Sequence, residues 1–213
     1  MITLAYISGF SILLPAILGL LKFKNAENGL RLIICYFLFC LVIEGITMYM
    51  TFIKMNNNAV ADFFYIAEGL ILITFFYMMY DESEFRIPAV ILATVYVIYG
   101  CYTTFIDPGH MVYNSNYRAA ESLMIQALTA YALLKISKQE NLEVMKHAGF
   151  WISAGFFIYF SVNLVVFISA TFLFADNIAL MKKTWMIHSI VNIGANIIFT
   201  FGLLCIPPRQ PRF

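Results

Sequence analysis

Charge is what this 213-residue chain has least of. Asp, Glu, Lys and Arg make up 12% of it, 12 acidic against 13 basic, for a formal net charge of +1. Soluble domains hold roughly a quarter of their residues charged and 45 to 50% apolar; here 62% are hydrophobic. That balance excludes a soluble fold. It also excludes a nucleic-acid surface, because the sparse Lys and Arg sit between apolar runs and form no basic stripe. Cys35, Cys40, Cys101 and Cys205 fall inside apolar runs without a C-x-x-C spacing, which reads them as small buried hydrophobes, not disulfides or metal ligands. Serine-hydrolase, P-loop and G-x-G-x-x-G signals are missing as well.

What is present is a series of apolar runs of about the 20 residues that a bilayer-spanning helix needs. They fall at 2–21, 32–53, 60–80, 87–106, 118–137, 148–174 and 184–206. The predicted fold is therefore all-α, a polytopic membrane protein with seven transmembrane helices in a single domain over 1–213. The runs are continuous instead of alternating, and too long for barrel strands, which excludes a closed barrel. The first run has no basic start and no A-x-A site, and Lys22 and Lys24 follow it, so it reads as a retained helix and not a signal peptide. Lys22, Lys24, Arg31, Arg86, Lys135, Lys138, Lys146, Arg209 and Arg212 fall on one side of such a bundle. Lys54, Arg118, Lys182 and Lys183 fall on the other. Nine against four predicts an N-terminus outside and a C-terminus inside. The tail PPRQPRF ends the last helix, since proline has no amide hydrogen to continue it, and is too short for an appended output domain.

Inside the runs, Glu44 and Glu68 are the most informative residues. A carboxylate at bilayer depth costs roughly 2.5 to 3.5 kcal/mol even on lenient scales, so it is paired or it serves a ligand, ion or proton. With no Lys or Arg expected nearby, burial favours the neutral form, and one or both are expected to be protonated or to share a proton. Glu121, Asn163, His188, Asn192 and Asn196 complete the candidate ligand site. His188, Asn192 and Asn196 recur every four residues and so lie on one helix face, as do Cys40, Glu44, Thr47 and Thr51. On the predicted orientation all of the candidates except Asn196 converge in the outer half of the bundle. A structural reading stands beside this one. Asn and His inside bundles often only join neighbouring helices, and Glu121 also suits the positive end of a helix dipole. The stripe of Tyr96, Tyr99 and Tyr102 reads as packing.

LLKFKNAEN from Leu20 matches LLKISKQEN from Leu133 at five positions, which would make helices one to three and five to seven two parallel repeats joined by the fourth. Parallel repeats occur in transporters, with the substrate between the halves; chance identity in low-diversity apolar sequence is the alternative. The polar connection 107–117 is a candidate outer lid, and KQENLEVMKH a candidate inner docking surface or a plain solvated loop.

The seven-helix layout, with FWISAGFFIYFSVNLVVFI and WMIHSIVNIGANIIFTFGLLC in the last two helices, resembles small bacterial seven-helix membrane proteins akin to the sensor modules of membrane histidine kinases. The resemblance implies a bacterial inner-membrane sensor or receptor module whose output domain is a separate polypeptide docking at the inner loops; no kinase is present here. Seven-helix zinc hydrolases need several membrane histidines, and only His188 lies within a span, so a metal site would have to be built from Glu44, Glu68, Glu121 and His188. Retinal proteins are disfavoured because the last helix has no lysine. Sugar transporters with a three-one-three plan are similar in layout but carry Pro-Gln motifs that are missing here. The expectation is a sensor-like protein binding a small ligand or cation in an outer-half pocket, with a small transporter as the alternative and a metalloenzyme third. No cofactor is indicated by any motif.

Overall fold

A computed structural model describes residues 2–79, 83–106, 115–139, 143–173 and 178–207 of the chain. Every described segment of regular structure is helical: α1 (Ile2–Ser11), α2 (Leu13–Lys22), α3 (Asn28–Phe52), α4 (Asn58–Met79), α5 (Ser83–Phe105), α6 (Ser115–Ser137), α7 (Ala148–Leu173) and α8 (Ile178–Leu204). The expected lid falls largely on 107–114 and the middle of KQENLEVMKH on 140–142, both outside the described residues, as is most of the tail.

The break between α1 and α2 has a local cause. Pro15 has no N–H to donate to the Ser11 carbonyl, and the helix is interrupted at Ile12, one turn before the proline. The Ser11 hydroxyl instead donates to the Ser8 carbonyl at 2.6 Å. At the other end of the first rod, Lys22 donates to the Ile206 carbonyl at 2.9 Å, placing a cation on the carbonyl-rich end of α8. The turn after α3 is a left-handed cap. Lys54 adopts φ 57°, Lys54 N–H bonds to the Thr51 carbonyl at 3.1 Å, and Met55 N–H bonds to the Met50 carbonyl at 2.9 Å. Asn56 then accepts from Asn58 N–H at 2.8 Å to start α4.

Among the described residues, six helical stretches are long and apolar enough to cross a membrane: Thr3–Asn25, Asn28–Phe52, Asn58–Met79, Ile87–Phe105, Ala148–Ser169 and Leu180–Leu204. With its all-α architecture, this makes the chain an integral membrane protein. The predicted span 118–137 is the exception. At 23 residues α6 has the length, about 34 Å of rise, but Arg118, Glu121, Gln126 and Lys135 dilute its apolar character. It also starts three residues earlier than predicted, which puts Arg118 one turn into the helix instead of at its first residue. In the same way Lys182 and Lys183 lie on the first turns of α8.

The helices close into a ring in the order α1/α2, α3, α4, α6, α7, α8, with α8 returning to α1 and α2, while α5 lies outside against α4 and α6. The core of the ring is aromatic: Phe37, Phe156 and Phe199 pack with centroids 5.1 Å (Phe37–Phe199) and 4.6 Å (Phe156–Phe199) apart. On α5, Tyr96 alone of the expected stripe is buried. It donates to the Tyr65 carbonyl at 2.6 Å and stacks on Tyr117, whereas Tyr99 and Tyr102 are exposed. Gly69 leaves room for the Tyr96 ring, which a β-carbon there would overlap.

Candidate functional site

A cavity of about 420 Å³ occupies the half of the ring that carries the α3–α4 connection. It is lined from Asn57 and Asn58 at that connection down to Phe37, Phe156 and Phe199 in the core. On α3, Phe37 and Thr47 both border it, a separation of about 15 Å of helix rise. Glu44, Glu68, His188, Asn192 and Asn196 line this space, together with Arg118 and the aromatic side chains of Tyr36, Phe64, Tyr65, Tyr159, Phe167 and Trp185. Asn196, expected to stand apart, therefore shares the cavity, because it follows Asn192 by one turn on the face of α8 that α1 covers. Glu121 and Asn163 are not on the cavity wall; each stands one contact behind it.

The expectation that Glu68 has no neighbouring cation is overturned by Arg118. Its guanidinium donates through Nη1 to Glu68 Oε2 at 2.8 Å and also to Glu121 Oε2. All three side chains are 3% exposed or less. The guanidinium also lies 3.8 Å from the Tyr65 ring centroid and 4.9 Å from that of Phe167, the cation–π geometry that suits a weakly hydrated cation in an apolar setting. Tyr36 donates to the remaining oxygen of Glu68, Oε1, at 2.6 Å. The carboxylates that share a cation are thus Glu68 and Glu121. Helix geometry explains the pairing, since Arg118 and Glu121 sit one turn apart on α6 and α4 packs against that face. With both carboxylates ionised, the trio carries a net charge of −1.

Because Glu68 is anchored from both sides, Tyr36→Phe is expected to cost about 1.5 to 3 kcal/mol, the range for hydrogen bonds to charged groups. Thermal unfolding of the purified protein in detergent checks this; an unchanged midpoint would show that the hydroxyl does not hold Glu68.

Glu44 differs from Glu68. It is half-buried, and among the described residues its carboxylate has no hydrogen-bond or ion-pair partner. It packs beside Gly9 of α1, where a β-carbon would overlap the carboxylate and the Met48 methyl. Its own turn is occupied elsewhere, as Thr47 donates to the Glu44 backbone carbonyl at 3.0 Å.

The α8 ladder has two functions within one face. Asn192 Nδ2 donates to the Ser8 carbonyl and hydroxyl at 3.2 and 3.0 Å, and Asn196 Nδ2 donates to the Ser11 hydroxyl at 2.7 Å, so both asparagines fasten α1 to α8. His188 Nδ1 lies 2.7 Å from Asn163 Oδ1. An amide oxygen only accepts, so in this arrangement Nδ1 is the donor. Trp185 packs edge-on to the His188 ring at 5.4 Å.

Among the described residues, no group of three or more His, Cys, Asp or Glu side chains is placed to hold a metal ion. Glu68 and Glu121 are committed to Arg118, and Glu44 stands on another helix, α3. Arg118 is the residue that the sequence reading missed as part of the site. Its signal was the i, i+3 spacing to Glu121, which only becomes informative once the helix is known to begin before it.

The fold and cavity define a class, an all-α integral membrane protein with a carboxylate-bearing aromatic chamber. Compared with protein-family models, curated proteins and solved structures, the chain matches none.

Proposed function

We propose that the chain spans a bacterial inner membrane seven times, with α6 as the seventh span and the N-terminus outside, and that its chamber binds a small cation or cationic ligand. The observation that carries this is the Glu44 carboxylate, without a partner among the described residues and facing a chamber whose one buried cation among those residues, Arg118, is already shared by two other carboxylates. With Glu44 and the trio ionised, the walls carry a surplus of negative charge, and a cation entering there gains Coulomb attraction strengthened by a low dielectric. The aromatic side chains around it add cation–π attraction. The moved position of Arg118 supports the orientation, because it leaves Lys54, Lys182 and Lys183 against the nine basic residues of the opposite side. Binding is read as that of a sensor-like or receptor-like protein, with output through a separate partner at the inner loops, as the sequence resemblance of the last two helices implies.

Tetramethylammonium is the probe of choice, being a permanent cation without a proton to lose. In a Trp151→Phe background Trp185 is the remaining tryptophan, and it lines the chamber. Titration of the protein in lipid nanodiscs with tetramethylammonium chloride, against sodium chloride at equal ionic strength, is expected to give a saturable change in Trp185 emission and a raised melting temperature. No change in either quantity would defeat the reading.

A proton-coupled transporter is the second reading, and one observation favours it. Exchanging α1/α2, α3 and α4 with α6, α7 and α8 preserves the packing order, and the two seams of the ring each hold polar bridges: Arg118 to Glu68 at one, Asn192 and Asn196 to Ser8 and Ser11 at the other. That is the arrangement that two parallel repeats would form. It requires cation uptake into sealed vesicles that Glu44→Gln abolishes; binding without flux under any gradient would leave the sensor reading.

A further inference from the structure

A second cavity, of about 350 Å³, adjoins the first. The two share Glu44, Thr47, Asn57 and Trp185 as lining residues. Beyond that shared wall the second space is bordered by Leu4, Ala5, Tyr6, Met48 and Met186, with Thr51 and Ser189. It therefore lies between α1, α3 and α8, and Tyr6 and Met186 on its border are exposed on the perimeter of the bundle, 50% and 40% respectively. In a membrane protein that perimeter is lipid.

The gap follows from how the first rod is built. Below the Pro15 break α2 packs on both α3 and α8, whereas above it α1 packs chiefly on α8, to which Ser8 is tied by Asn192. The seam between α1 and α3 is closed at Gly9, whose missing side chain accommodates the Glu44 carboxylate and the Met48 methyl. Glu44 thus stands where an inner, polar and aromatic chamber meets an outer, apolar one that faces the bilayer. A carboxyl group with no protein partner among the described residues, at the junction of a polar and an apolar space, matches one chemistry when ionised, a cation attached to a hydrocarbon chain.

We infer that the ligand is an amphiphilic organic cation, which enters from the bilayer between α1 and α3, sets its ammonium group beside Glu44 in the inner chamber and leaves its chain in the outer one. This deepens the proposal of a cation site and rests on it. Neutral and anionic amphiphiles fit the outer space but leave Glu44 uncompensated or repelled, so the charge decides the class. Trp185, lining both spaces, is placed to report on either part of the ligand.

The test uses the Trp151→Phe protein in nanodiscs, titrated with three probes below their aggregation limits: tetramethylammonium, dodecyltrimethylammonium and dodecanol. Chain burial is worth about 0.8 kcal/mol per methylene, so even a few buried methylenes are expected to make the dodecyl cation bind about tenfold or more tighter than tetramethylammonium. Glu44→Gln is expected to remove that saturable binding and to leave the response to dodecanol unchanged. Ala5→Phe, which fills the outer chamber, is expected to weaken the dodecyl cation about tenfold with tetramethylammonium unaffected; Thr51→Phe, on the α3 wall, does the same by a separate route if Ala5→Phe does not fold. Tetramethylammonium binding that depends on Glu44, with no gain from the chain or no effect of filling the outer space, overturns the amphiphile while the small-cation reading survives. If the dodecyl cation responds alike in the Glu44→Gln protein, it is only partitioning into lipid and the inference fails. Silence from both cations defeats the inference and the proposed function together.

Discussion

Arg118→Met is expected to destabilise the protein more than any other single substitution among its polar residues, by about 3 to 5 kcal/mol. The change removes one cation and strands two carboxylates, Glu68 and Glu121, in a region where all three side chains are 3% exposed or less. Burying an uncompensated charge is the costly event, and the pair itself contributes less than its loss suggests. The same reasoning predicts rescue. Arg118→Met combined with Glu68→Gln and Glu121→Gln removes all three charges and is expected to recover most of the lost stability, because no ion is then left unpaired. Thermal or denaturant unfolding in one detergent, with the protein folded by circular dichroism at the start, measures both. If the single variant unfolds at the wild-type midpoint, or the triple variant is no better than the single one, then Arg118 is not the counter-ion of this pair.

Glu44→Gln is expected to separate function from stability. The substitution is nearly isosteric and replaces a carboxyl group that has no protein partner among the described residues, so melting temperature is expected to stay the same or rise. Cation affinity moves the other way. Truncating one partner of a desolvated charge pair costs 2 kcal/mol or more, so tetramethylammonium binding is expected to fall by about thirtyfold or beyond. A stability gain with a binding loss is the mark of a functional carboxylate; a helix-joining role would give the reverse. Equal binding in wild type and Glu44→Gln would remove Glu44 from the site.

The contrast between these two glutamates was only half legible in the chain. Both stand in mid-run, and the cost of a carboxylate at bilayer depth marks each as paired or functional without saying which. Glu68 is paired because α6 begins three residues before its apolar run does, carrying Arg118 into the bundle beside α4. An arginine at the edge of an apolar run looks like a connection residue, and hydropathy cannot distinguish one that faces water from one that is neutralised by two carboxylates. Asn192 and Asn196 show the same limit. Their four-residue spacing placed them on one face with His188, but Ser8 and Ser11, the partners that engage their amides, are nearly the whole chain away.

The sequence by itself determined the class of molecule, since long apolar runs with so few charges have a single stable setting, helices in a bilayer, and helix period alone aligns His188, Asn192 and Asn196. Tertiary structure decided what each polar group is for. Whether a buried carboxylate is satisfied depends on what the neighbouring helices bring within about 3 Å, and that is set by the ring order, the early start of α6 and the break at Pro15. Those long-range choices leave Glu68 locked to Arg118 and Glu44 open to the chamber.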